Sequence, residues 1–197
     1  MRVEPNPSIV LQSRIKGLSL NFGAAFLSGL GTGIVSGLLL RVIMGIVAIV
    51  FPEMSRGLTL EGVLALLLVG TGFSLANSVW FGCMNRHLPK HRLARGLGYG
   101  AINAIVYGIP FFLSNPDNDL FGPQAPLGIA LFTALFLCGG LMLTVGYDRI
   151  LNWAREGRRE KVLHVSFAVL LIPAMIMLIG TTYEMFDEVI PRIRANW

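Results

Sequence analysis

The sequence predicts an all-α fold, an integral membrane bundle of five transmembrane helices. Three observations carry that expectation. Hydrophobic residues make up 54% of the 197 positions and charged residues only 14%, whereas soluble domains carry about a quarter charged residues. The mean hydropathy is +0.66. The apolar residues gather into five blocks, each near the ~20 residues that cross a bilayer. Between the blocks, cation-rich and cation-poor connections alternate.

The blocks fall at about 21–50, 60–82, 96–114, 127–147 and 162–182, and the whole of 1–197 reads as a single transmembrane domain. Ahead of the first block stand the polar stretches VEPNPS and QSRIK with no small-residue cleavage site, so the first helix reads as an uncleaved anchor. Arg2, Arg14 and Lys16 precede block one. Arg86, Lys90, Arg92 and Arg95 follow block two, and Arg149, Arg155, Arg158, Arg159 and Lys161 follow block four. These are twelve of the sixteen cations; Arg56, Arg192 and Arg194 fall on the other side. The positive-inside rule then places the N-terminus in the cytoplasm and the C-terminus outside, in the inner (cytoplasmic) membrane of a bacterium. Loop topology and anionic lipid headgroups account for the net charge of +5, and no nucleic-acid partner is expected.

The first block carries Ala25, Gly29, Gly33, Gly37, Arg41 and Gly45, each four residues from the last and so along one drifting stripe of a helix. Lipid gives small residues no reason to align, whereas helices in a bilayer associate by close van der Waals approach, which glycine permits. Block two shows Gly62, Gly70, Ser74, Asn77 and Ser78 at similar spacing. Block three shows Gly96, Gly100, Asn103, Ala104, Tyr107 and Gly108. Gly29, Gly33, Gly37, Gly45, Gly70, Gly100 and Gly108 are therefore the predicted helix-packing residues, with the first helix central. Blocks four and five are more uniformly large and apolar and are expected to face lipid or a partner.

Arg41 breaks the stripe with a charge. An arginine deep in a bilayer costs roughly 2.5 kcal/mol or more and marks a functional site by default. At the headgroups it snorkels outward or pairs with a carboxylate such as Glu61. Lining a cavity, it would select an anion, with Asn77, Asn103 and Tyr107 as polar lining. Asn77 and Asn103 fall in the cytoplasmic half, close enough in depth to hydrogen-bond each other and far from Arg41.

After block five, Phe186, Val189, Ile190, Ile193 and Trp197 recur at helical spacing among charged residues. Residues 183–197 therefore read as an interfacial amphipathic tail, although Pro191 speaks against one unbroken helix.

Other chemistry is poorly supported. His87 and His91 have a metal-binding spacing, but Pro89 lies between them and no third ligand is near. His164 has no second histidine to complete a bis-histidine haem. Cys83 and Cys138 sit at different depths and read as free apolar thiols. No carboxylate falls in the interior of a block to relay protons, Glu61 standing at the outer end of block two; no phosphate-binding loop is present, and no Ser–His–carboxylate set shares one depth. An inverted repeat, as in many carriers, is not evident. The expectation is a non-catalytic membrane subunit that packs with copies of itself or with other membrane subunits, contacts membrane lipids and needs no cofactor or metal. The alternative is a channel or facilitator for a small anion or polar solute, selected by Arg41.

Overall fold

A computed structural model describes residues 7–51, 59–114, 125–157 and 159–196. These residues are helical throughout, with no strand among them, and five helices are long and apolar enough to cross a membrane. They are α1 (Pro7–Val50), α2 (Leu60–Met84), α3 (Arg92–Leu113), α4 (Ala125–Glu156) and α5 (Glu160–Ala195).

Each helix outruns its apolar block because the flanking residues are amphipathic and still have something to pack against. α1 is one continuous helix that begins well before residue 21. Its early turns bury Ser19 and Leu20 and place Lys16 2.9 Å from Glu160. α2 starts with its first backbone donor satisfied, since Thr59 accepts from the Gly62 N–H at 3.2 Å. α3 starts four residues early, where Arg92 (2.9 Å) and Arg95 (2.5 Å) both reach Asp148 of α4. α4 runs on through YDRILNWARE, burying Tyr147, Leu151 and Ala154 at i, i+4 and i+7.

α3 and α5 share a detail. A π-turn spans Ala104–Gly108 in α3 and Met185–Val189 in α5, and in both Ile-Pro follows at once (Pro110, Pro191). Proline has no N–H to continue the ladder and its ring collides with the carbonyl four residues back. A π-turn widens the helix just before that collision and lets it proceed. The expected break at Pro191 is therefore absent: the segment read as a separate tail is the helical end of α5, and its last turns touch the end of α3. Phe186 there is exposed and Arg192 pairs with Glu188 at 3.3 Å, while Trp197 lies outside the described residues.

α1 is the hub, in contact with α2, α4 and α5, and α3 is held mainly by α4. Two close crossings set the architecture. A methyl group built on Gly33 would stand 2.5 Å from Thr71 Cα, and one on Gly70 would meet the Gly33 carbonyl at 2.8 Å and Gly37 Cα at 2.9 Å. The second crossing repeats this arrangement: a methyl on Gly100 would stand 2.7 Å from Leu137 Cα, and one on Gly140 would meet Gly100 Cα at 2.7 Å. In both pairs a Gly-x-x-x-Gly turn of the first helix takes one glycine of the second, so α1–α2 and α3–α4 are antiparallel hairpins of like build. Ser28 of α1 donates to the Leu143 carbonyl of α4 at 2.8 Å and joins the hairpins.

The antiparallel order gathers the loop cations at one end of the bundle, here called the cation end. Large apolar side chains remain on the outward faces, Ile49 (80% exposed) and Leu68 (74%) among them, as suits helices solvated by lipid.

Candidate functional site

A cavity of about 330 Å³ lies between the two hairpins. Its walls include Gly70 of one crossing and Gly140 of the other, so the lack of side chains that brings each pair of backbones together also leaves room between the pairs.

The two ends of the cavity differ in chemistry. Toward the cation end it is lined by Thr32, Ser74, Asn77, Tyr99 and Asn103; toward the other end it is lined by Leu40, Met44, Phe111, Phe112 and Phe132, with Phe73 and Phe136 between. Thr32 and Met44 are twelve residues apart, about 18 Å of helix rise. Among the described residues no charged side chain lines it.

The polar end is built residue by residue. The Asn77 Nδ2–H donates to the Phe73 carbonyl one turn back at 3.1 Å, which fixes the amide plane. The Asn77 Oδ1 is left without a hydrogen-bond partner although the residue is only 4% exposed. The Tyr99 hydroxyl donates to the Asn77 backbone carbonyl at 2.5 Å and ties α3 to α2. Below this layer the Phe81 ring meets Tyr99 and Tyr147 edge-on, with centroids 5.1 and 5.3 Å apart, and the Tyr147 hydroxyl donates to Asn21 Oδ1 at 3.2 Å. Phe81 is fully buried and Tyr99, which lines the cavity, nearly so.

The π-turn of α3 contributes directly. Asn103 and Phe111 are eight residues apart, which in a uniform helix would turn them about 80° from each other. The extra residue of the π-turn makes eight behave as seven, and both side chains reach the same cavity.

The residues singled out in the sequence are placed as follows. Asn77 and Asn103 line one cavity, but the amide of Asn77 is spent on its own helix and not on Asn103. Tyr107 stands beside the cavity, edge-on to Phe73 with centroids 5.0 Å apart. Arg41 is half-buried and is not part of the lining, although its neighbour Leu40 is. Gly29, Gly33, Gly37, Gly70 and Gly100 lie against neighbouring helices of the same chain, and a methyl group on Gly108 would stand 3.1 Å from the Phe136 ring. Gly45 differs from these: among the described residues nothing stands within 4 Å of a methyl group there, because α1 has by then outrun its contact with α2.

Elsewhere, the His164 Nδ1–H donates to the Glu160 carbonyl at 2.7 Å, Cys83 and Cys138 are unbonded thiols, and no cluster of three potential metal ligands occurs among the described residues. The cavity itself left little trace in the sequence. Phe132 and Phe136 belong to a block expected to face lipid or a partner, Phe111 and Phe112 carry no signal of their own in block three, and the Ile-Pro after residue 108 is the one available sign of a π-turn.

The chain matches no protein-family model, no curated protein and no solved structure. The reading of its function therefore rests on this geometry.

Proposed function

We propose that the protein is a multi-pass membrane protein whose cavity holds a small, neutral and largely apolar molecule between the α1–α2 and α3–α4 hairpins. The single observation that carries this reading is the cavity, graded from aromatic and aliphatic at one end to amide and hydroxyl at the other and free of lining charges. Its volume falls at the small end of the range typical of ligand sites, and a few fixed polar groups in an otherwise apolar wall are their usual composition. A guest there would gain dispersion contact with the phenylalanines of the wall.

The reading differs from both expectations drawn from the sequence. The glycine stripe from Gly29 to Gly37 faces α2 of the same chain, so the stripe by itself does not argue for assembly with copies or with other subunits. Selection of an anion by Arg41 finds no support in a lining that, among the described residues, carries no charge. Holding a guest fits this geometry better than conducting one.

The test is mass spectrometry of small molecules retained after gentle extraction, with Ser36→Trp as comparison, since Ser36 lines the cavity and an indole there would fill it. A lipophilic molecule near one equivalent in the wild type and lost in Ser36→Trp is the expected result. Equal retention by both, or annular phospholipid alone in both, overturns the proposal.

A further inference from the structure

The cavity is reached from one side of the bundle. Toward the cation end its lining is shut off from the outside, with Thr32, Ser74, Asn77, Tyr99, Asn103 and Leu143 each at most 8% exposed. Three lining residues are exposed: Val69 (61%) on α2, Phe111 (45%) on α3 and Met44 (41%) on α1. α1 packs directly on α4, and a methyl group on Gly139 of α4 would stand 3.8 Å from Ser36 Oγ, whereas α2 and α3 are not a closely packed pair. Side chains tie these two antiparallel helices at two levels. The Tyr99 hydroxyl donates to the Asn77 backbone carbonyl, and further from the cation end Tyr107 stands edge-on to Phe73 with centroids 5.0 Å apart. One helical turn beyond that ring pair come Val69, four residues from Phe73, and Phe111, four residues from Tyr107. Both line the cavity and both are exposed, so the seam between α2 and α3 parts at their level.

Resting on the cavity reading above, we infer that the guest enters and leaves sideways, through the seam between Val69 and Phe111, and is drawn from the apolar layer of a membrane and not from water. The surroundings of the seam carry this. α2 has no charged residue from Gly62 through Asn85, and α3 has none from Gly96 through Leu113. An opening set in stretches of that composition is bathed by acyl chains, and a charged solute would have to shed its water to reach it. The compounds that pass are uncharged, small enough for a space of about 330 Å³ and already dissolved in the bilayer. Phe73 and Tyr107 bound the opening on its cation-end side.

The test uses (trifluoromethyl)phenyldiazirine, an uncharged, bilayer-soluble arene that loses nitrogen on illumination to give a carbene, which inserts into neighbouring bonds to hydrogen. It is mixed with the full chain in phospholipid nanodiscs and flashed after increasing delays. Peptide mass spectrometry then follows labelling of Thr32, Asn77 and Asn103, which line the cavity, and of Ile172, which is exposed on α5. Val69→Trp and Phe111→Trp each set an indole in the opening. Both are expected to slow labelling of the inner residues about tenfold, as a barrier higher by about 1.4 kcal/mol would, with Ile172 labelled as in wild type. Leu68→Trp, one residue away on α2 and 74% exposed, is expected to leave the inner rate within about twofold of wild type. Equal inner rates in Val69→Trp and Leu68→Trp, or slowing by Met44→Trp alone, overturn the route between α2 and α3 while the cavity reading stands. If the inner residues of the wild type stay unlabelled at every delay, the cavity reading itself fails. The opening is closed from either helix, so one variant that does not fold leaves the decision intact.

Discussion

The two ends of this bundle are made by the same five helices and packed on different principles. At the cation end the helices close on one another: Phe81, Ala154 and Leu163 are fully buried, Ser28 bonds across to the Leu143 carbonyl, and Arg92, Arg95 and Lys16 are paired with Asp148 and Glu160. At the other end Ile43 is the one buried large apolar side chain along residues 38–50 of α1, and the phenylalanines of α3 and α4 surround open space. Helices apolar enough to be solvated by lipid would have no hydrophobic drive there to close a core. Close packing appears where small residues and polar links bring backbones together, and a cavity appears where large rings hold them apart. Stability and ligand binding are thereby assigned to opposite ends, and substitutions should separate them.

The largest effect is expected at the crossings. Gly33→Leu puts a side chain into the space already occupied by the Thr71 Cα and the Gly70 carbonyl, neither of which can rotate away. Overpacking against backbone should cost at least about 3 kcal/mol, seen as loss of monodisperse protein or a collapse of the thermal midpoint. Gly45→Leu, on the same stripe but facing nothing within 4 Å, should stay within about 0.5 kcal/mol of wild type. Equal damage from both would mean that the stripe meets something beyond this chain near residue 45, and the subunit reading would return.

Phenylalanine truncation sets the two ends against each other. Phe81→Ala removes a fully buried ring from between Tyr99 and Tyr147 and should cost about 3–5 kcal/mol in thermal or denaturant unfolding. Phe112→Ala only enlarges an existing space beside Phe111 and Phe132. It should cost less than about 1 kcal/mol and lower retention of the cavity's small molecule several-fold. The reverse ranking would place the core at the end now described as a cavity.

This division explains what could be read from the sequence. The five helices and the glycine stripe are signals of composition and period, carried by many residues at once. Helix ends were misjudged wherever apolar content fell while packing continued, as at Leu151 and Ala154 beyond Asp148. The cavity was harder, because it is a property of what four helices leave unfilled. Asn77 and Asn103 stood out as polar residues in apolar blocks, but their shared surroundings depend on a register set by Gly33 on Gly70 and Gly100 on Leu137. The π-turn compounds this, since it moves Phe111 onto the face of Asn103 by one residue that no 3.6-residue pattern anticipates.

Arg41 gives the smallest expected effect and the sharpest use of it. The sequence singles it out as the one cation within an apolar block, yet the cavity takes the side chains of Leu40 and Met44 beside it and not its guanidinium. Arg41→Gln should therefore leave retention of the cavity's small molecule within about twofold of wild type, read by mass spectrometry after gentle extraction. Loss of retention would bring the guanidinium's charge within reach of the guest, and a neutral guest would have to give way to an anionic one.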